Sequence, residues 1–199
     1  MNFKVRHLTD EEIIDIYLTH GKRHFPDSEL KPVSVIKELI GRGSYIGLGM
    51  FKENNSLVGY ALFTRSDNTD MILLDYYAIL EEYRQNRAGS EFLSRIKDEF
   101  KNSERIPAGI LIETEDIEYA LNEEETDIRQ RRDSFYTRNN ALLTGIKSFV
   151  AGVNYNIWYL EVGAPFERAS ARASLEKLYR EMFKCVERGN IIKWDIEIP

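Results

Sequence analysis

The sequence predicts an α/β domain built on a mixed sheet, and three observations carry that reading. Apolar residues switch repeatedly between helical and strand spacing along the 199 residues. Three strand-like runs follow one another between Tyr45 and Leu80 with only short polar turns between them, which implies an antiparallel meander. The third of these runs is followed by a helix and then by a short apolar strand ending near Thr114, the pattern of a right-handed parallel crossover. No internal repeat, low-complexity tract or Pro/Gly/Ser-rich linker divides the chain, so residues 1–199 are expected to form one domain. Its core covers about residues 3–162, with an extension over about 163–199 packed against it.

Taken in order, Phe3, Val5 and Leu8 predict a first strand. Thr9 and Glu12 then form a capping box for a helix carrying Ile13, Ile14, Ile16 and Tyr17, which Gly21 is expected to end. After a polar segment, His20–Pro32, the residues Val33, Ile36, Leu39 and Ile40 recur at helical spacing until Gly41 and Gly43. Tyr45–Lys52 and Leu57–Thr64 read as a hairpin, and Met71–Leu80 as the third strand. A polar loop, Arg84–Ser90, leads to a helix with Phe92, Leu93, Ile96 and Phe100, and Gly109–Thr114 is a short buried strand. Beyond an acidic loop, residues 126–139 predict a helix holding Arg129, Arg131, Arg132 and Arg138 around Phe135 and Tyr136. Leu142–Val150 and Val153–Val162 form a second hairpin that turns at Ala151 and Gly152. The last helix, Phe166–Arg188, places Ala169, Ala173, Leu178, Met182 and Val186 on one side, and Ile191–Ile198 adds a short strand.

Composition excludes several classes of function. With 43% apolar and 12% aromatic residues the chain is too hydrophobic to be disordered. Thirty-three acids against 27 Lys and Arg leave a net charge of -6, which argues against a protein that coats nucleic-acid phosphates. No run approaches the roughly 18 apolar residues of a bilayer span, so no membrane partner is expected. Met1–Asp10 lack the pattern of a secretory signal, and a cytoplasmic location is expected. Cys185, the one cysteine, reads as a small buried hydrophobe in a reducing compartment rather than a reactive thiol. His20 and His24 are four apart but have no third ligand at metal spacing, so no metal site is expected.

The loop Glu82–Ser90 is where chemistry is expected. A strand end feeding a helix N-terminus exposes backbone N–H groups without intrahelical partners and directs the positive end of the helix dipole at an anion. Arg84 and Arg87 can add charge-assisted hydrogen bonds to a phosphate.

Here the sequence resembles the GNAT superfamily of acetyl-CoA-dependent N-acetyltransferases. That family's pyrophosphate loop runs Gln/Arg-x-x-Gly-x-Gly/Ala. Arg84-Gln85-Asn86-Arg87-Ala88-Gly89 fits it with one departure, Arg87 in place of the first Gly. Arg132-Asp133-Ser134-Phe135-Tyr136 resembles the aromatic and tyrosine pair on the family's fourth helix, and the order of elements agrees over about residues 3–162. The resemblance implies a GNAT-like, mostly antiparallel mixed sheet flanked by helices, with acetyl-CoA as acetyl donor and a primary amine of a small molecule or peptide as acceptor. It further implies direct transfer in a ternary complex.

It also implies roles for particular residues. Tyr77, Ala78 and Ile79 would offer backbone groups to the pantetheine arm, and an N–H at Ile79 or Leu80 would polarise the thioester carbonyl. Arg84, Gln85, Asn86, Arg87, Ala88, Gly89 and Ser90 would hold the pyrophosphate. An arginine at position 87 is compatible with that loop if its φ is negative.

Tyr136 would protonate the departing thiolate, with an aromatic core residue as the alternative. Such general-acid help is typically worth about a hundred- to ten-thousand-fold. Glu113 is the first candidate for the base that accepts the amine's proton. A surface or substrate-orienting role is its alternative, and Asp75, Glu115 and Asp116 are the other carboxylates in reach. His24, Phe25, Asp27 and Glu29 lie in the turn region that borders the family's acceptor pocket and would touch substrate, with solvated loop residues as the alternative. The acidic run Glu113–Glu125 would attract a cationic amine or form a solvated loop, and Arg129, Arg131 and Arg132 would pair with it or reach a CoA phosphate.

Two other functional classes compete with the enzyme. One is a non-catalytic acyl-CoA-binding module of the same fold, which the arginine at position 87 keeps open. The other is an interaction protein that forms a homodimer through its terminal helix.

Overall fold

The computed structural model describes residues 3–84 and 87–187. The predicted terminal strand and loop residues Gln85 and Asn86 lie outside them, as do the side chains of Cys185 and Val186. In chain order the elements are β1 (Phe3–His7), α1 (Asp10–His24), α2 (Val33–Gly41), β2 (Tyr45–Lys52), β3 (Leu57–Thr64), β4 (Ile72–Ile79), α3 (Ala88–Lys101), β5 (Gly109–Glu115), α4 (Glu123–Arg138), β6 (Leu142–Val150), β7 (Val153–Glu161) and α5 (Arg168–Glu187). The strands form a seven-stranded sheet in the order β1-β2-β3-β4-β5-β7-β6. Every neighbouring pair is antiparallel except β4 with β5, so the sheet is mixed and mostly antiparallel, as the crossover through α3 requires.

Alternation along each strand divides the core between the two faces of the sheet. One face carries Leu62, Leu73, Tyr76 and Leu111 beneath α1, α2 and α5. The other carries Phe63, Leu74, Ile112 and Trp158 beneath α3 and α4.

Three boundaries differ from the sequence reading. Helix α1 passes through Gly21, which lies buried against Tyr17 and Leu30, and ends only at Phe25. The terminator is Pro26, since a residue preceding proline is pushed out of the helical region and Phe25 has φ -132° and ψ 143°. Helix α3 begins at Ala88, so Ala88, Gly89 and Ser90 of the expected loop belong to its first turn. Helix α4 begins at Glu123, because Asn122 caps the Glu125 N–H at 2.9 Å and three glutamates complement the dipole in the first turn.

In α5 the buried stripe is Ala171, Leu175, Leu178, Tyr179, Met182 and Phe183, while Ala169 and Ala173 are exposed. Counting back from Leu178 by three and seven residues, the helical stripe reaches Leu175 and Ala171. That apolar face packs against the sheet and α2.

Candidate active site

Strands β4 and β5 run together only at their beginnings. Ile72, Leu73 and Leu74 pair with Ile110, Leu111 and Ile112, after which β5 stays with β7 and β4 stays with β3. The parting starts at a β-bulge. The register steps from Phe63↔Leu74 to Leu62↔Tyr76, which leaves Asp75 as the extra residue and bends β4. The backbone facing the gap follows from the ladder. Leu80 N–H donates to Val58 C=O at 2.9 Å, so in an antiparallel pair Leu80 and Ala78 turn their polar groups toward β3 while Tyr77 and Ile79 turn theirs toward the gap. This corrects two expectations, since the N–H groups of Leu80 and Ala78 are not free for a ligand. The Ile79 C=O accepts Arg84 Nε at 3.1 Å, which ties the end of the strand to the loop behind it.

The gap leads on one side into a groove of about 580 Å³, lined by Tyr77, Ile79, Gly89, Ser90 and Phe135 together with five arginines, at positions 84, 87, 131, 132 and 138. The first backbone bond of α3 runs from Glu91 N–H to Arg87 C=O, 3.0 Å, so the N–H groups of Ala88, Gly89 and Ser90 have no intrahelical carbonyl. A Cβ on Gly89 would lie 3.2 Å from the Phe135 ring, so this glycine lets α3 close on α4. Tyr77 Oη donates to the Gly89 carbonyl at 2.5 Å and stacks its ring on Phe92. Arg87 has φ 60° and ψ 18°. The negative φ expected of an arginine here is not found: the chain takes the left-handed turn expected of glycine and accepts about 1–2 kcal/mol of strain. The donor set, the cationic walls and the first-turn N–H groups of α3, unpaired among the described residues, fit a pyrophosphate, and the parted strands fit an extended amide chain.

On the other side lies a cavity of about 220 Å³. Its walls include His24, Phe25 and Glu29 from the end of α1 and the segment after it, Asp75 and Tyr76 from β4, Glu113 from β5, Tyr155 from β7, and Tyr179 and Phe183 from α5. Groove and cavity share Tyr77, Arg132 and Tyr136. Tyr136 is therefore buried between them, its ring in edge contact with Phe135 and 6.2 Å from that of Trp158. Burial pushes its phenol up to about 12, against a smaller opposing pull from Arg132.

The four candidate carboxylates separate cleanly. Asp75 is held by Lys31 Nζ at 2.5 Å, in a pair whose side chains are 9% and 5% exposed, and by Tyr45 Oη at 2.6 Å. Glu115 lies 3.0 Å from Arg132 and 3.3 Å from Arg129. Burial works against ionisation of Asp116, but Lys147 at 2.6 Å and the Glu118 N–H outweigh it and hold the carboxyl below its ordinary value. Among the described residues no cation forms an ion pair with Glu113. Burial pushes its carboxyl up to about 7, moderated by a hydrogen bond from Tyr179 Oη and by the charge of Lys31. The acidic run is therefore not a solvated attractor as a whole; its members at 115 and 116 are neutralised, and Glu113 is held inside.

The expected acceptor-side residues divide as well. His24, Phe25 and Glu29 line the cavity, whereas Asp27 does not. His24 sits on α1 rather than in a turn, with Nδ1 3.0 Å from Tyr60 Oη, and burial lowers its pKa, so the ring is neutral at pH 7. Burial raises the Glu29 carboxyl, as does nearby Glu115.

Sequence reasoning missed Lys31, Ser148, Tyr155 and Tyr179. The available signal was Asp75, a charged residue within an otherwise apolar strand, which needs a buried partner.

Comparison with known proteins bears on this arrangement. The sequence profile of the acetyltransferase (GNAT) family matches residues 11–121. A search of curated proteins found no match. The fold is shared with an acetyltransferase assigned to the GNAT family from Bacteroides thetaiotaomicron, at 13% identity over 89% of this chain and 96% of that one, TM-score 0.62. The ribosomal-protein-S18-alanine N-acetyltransferase of Escherichia coli is similar at 14% identity, 83% and 97% coverage and TM-score 0.58. A dodecameric spermidine N-acetyltransferase from Vibrio cholerae is similar at 10% identity, 80% and 93% coverage and TM-score 0.57.

Proposed function

Because the chain belongs to the acetyltransferase (GNAT) family, we propose that it moves the acetyl group of acetyl-CoA to the primary amine of a small molecule, by direct transfer in a ternary complex. The observation that carries this reading is the junction. A cationic groove with a free helix N-terminus meets a cavity holding an unneutralised carboxylate, and Tyr136 lies where they join. Bound there, acetyl-CoA would supply an acetyl group already activated as a thioester.

The chain's own residues divide the remaining work. First-turn N–H groups of α3, with Arg84, Arg87 and Arg131, hold the pyrophosphate, and the backbone of Tyr77 and Ile79 faces the pantetheine amides. An ammonium acceptor enters the cavity against Glu29 and Glu113. Glu113, poised near neutrality, takes its proton and leaves an amine lone pair free to form the new C–N bond. As the C–S bond breaks, Tyr136 Oη would protonate the departing sulfur, and the second proton shed by the newly acylated nitrogen would restore the phenol. Its phenol is a weak acid where it sits, but the same burial disfavours a thiolate, so both ends of the transfer are displaced in one direction. At Arg87 the backbone keeps the left-handed conformation that the missing glycine would have taken, which supports cofactor binding at this turn.

A small acceptor is favoured over a peptide because α5 and the β6–β7 turn wall the cavity. Release of free thiol from acetyl-CoA should be detected with compact primary amines and be at least tenfold slower with peptide amines. Thermal stabilisation by acetyl-CoA without thiol release from any amine would favour the non-catalytic module. Faster release with peptides would move the assignment to a peptide end.

A further inference from the structure

Helix α5 lies wholly beyond the residues that the family profile matches, yet it places a phenol on the carboxylate assigned above as the base. Resting on that reading, we propose that Tyr179 is a positioning residue for acetyl transfer: its Oη, held from behind by Ser148 Oγ, donates to Glu113 Oε1 and fixes that carboxylate as the acceptor of the ammonium proton.

The directions of the two hydrogen bonds follow from proton counting. Tyr179 Oη donates to Glu113 Oε1 and lies 2.8 Å from Ser148 Oγ. A phenol has one proton to give. It goes to the carboxylate, so the serine hydroxyl donates to the phenol oxygen, and each donor strengthens the next. Tyr179 and Ser148 are buried, 1% and 2% exposed, so water does not compete for the bond between them, while Glu113 is half-buried on the cavity wall.

The placement is set by several unrelated bonds along α5. Arg168 holds the Thr144 and Gly145 carbonyls at the bulge of β6, Thr69 Oγ1 donates to Ser174 Oγ at 2.6 Å, and Ser44 Oγ donates to Glu181 Oε1 at 2.8 Å. The stripe around Tyr179 is otherwise small or apolar: Ala171, Leu175, Leu178, Met182 and Phe183. A phenylalanine would fill the same volume, so packing alone does not account for the hydroxyl.

The groups that face Glu113 come from four elements. Tyr179 lies on α5, Tyr155 on β7, Asp75 on β4, and Lys31 on the segment between α1 and α2. Glu29, Arg132, Tyr136 and neutral His24 line the same cavity. Asp75 and Lys31 neutralise each other, so Tyr179 is the neighbour that selectively favours the ionised carboxylate.

The test is the acidic limb of the kcat profile, which reports groups within the ternary complex. Tyr179→Phe should move that limb up by about one to two pH units, the size expected for a lost hydrogen bond to a buried charge. At pH 7 kcat should fall about tenfold, with the high-pH plateau and the affinity for acetyl-CoA kept. Ser148→Ala leaves the phenol in place but unsupported, and should move the limb by about half a unit. Glu113→Gln separates this proposal from the reading beneath it. If the glutamine variant keeps the wild-type rate and limb, the base is elsewhere and the assignment of Glu113 fails. If glutamine abolishes the limb while Tyr179→Phe leaves it unmoved, Tyr179 is a packing residue and the proposal is overturned. Where Tyr179→Phe does not fold, an unmoved limb in Ser148→Ala overturns it equally.

Discussion

The groove and the cavity meet at three side chains but are built on opposite principles. The groove is local. Residues 77–90 supply its strand edge, its turn and its helix N-terminus, and residues 131–138 of α4 add one cationic face. Much of its binding chemistry is backbone N–H and exposed guanidinium. The cavity is assembled from segments scattered between positions 24 and 183, and its chemistry is buried carboxylate, phenol and one internal ion pair. Polar groups in such a place need partners, so their roles are set by neighbours distant in the chain. One half of this site thus depends on the course of the backbone and the other on the convergence of side chains.

Substitutions on the two sides should therefore separate cleanly. The largest effect is expected from Glu113→Gln, which should lower kcat at least a hundredfold at pH 8 while the dissociation constant of acetyl-CoA stays within twofold. The same substitution carries a stability signature. The native carboxyl titrates near 7 and the unfolded one near 4.5, so between those values the native state holds the extra proton. Wild-type stability should then fall as pH rises from about 4.5 to 7, and denaturant titrations of the glutamine variant should lack that slope. A parallel slope in both proteins would place the titration elsewhere.

Tyr136→Phe tests the shared wall. Turnover should drop about a hundredfold, again with cofactor affinity preserved. Unchanged turnover would remove the general-acid role and leave a core aromatic.

On the groove side the expected loss is smaller and of the other kind. Arg84→Ala combined with Arg131→Ala should weaken acetyl-CoA about tenfold by calorimetry, and more at low salt than at high, with kcat at saturation nearly unchanged. A matching fall in kcat would blur the division drawn between the two halves.

The smallest effect is expected at Arg87. Arg87→Gly should raise the unfolding free energy by up to about 1 kcal/mol by relieving the left-handed φ, and weaken acetyl-CoA a few-fold through the lost charge. A destabilised glycine variant would mean that the guanidinium does structural work beyond its charge.

The legibility of the molecule follows the same divide. The two hairpins could be placed to within a residue because each strand is an apolar run bounded by polar turn residues, and turns are local chemistry. The turn into α3 was readable despite Arg87, since the strand end and the helix start on either side of it are also local signals. What could not be read was tertiary. The bulge at Asp75 arises from a register choice between two strands, and the pairing of Lys31 with Asp75 spans α2, β2 and β3. Tyr179 looks like any apolar-side residue of an amphipathic helix until the helix is docked. Gly21 misled because its helix-breaking tendency is weak beside that of Pro26, five residues later. The acidic run misled because charge was read as solvation, when Glu123, Glu124 and Glu125 were starting a helix.

Trp158 stands directly behind the junction, its Nε1 donating to Thr114 Oγ1 at 2.9 Å and its ring one layer from Tyr136. Indole emission shifts with nearby charge and with the loss of water, and both change where the thioester would lie. The molecule thus carries its own optical gauge at the point where groove becomes cavity. With the other tryptophan, Trp194, replaced by phenylalanine, cofactor arrival and thiolate departure should be visible as changes in Trp158 emission on rapid mixing, without a label.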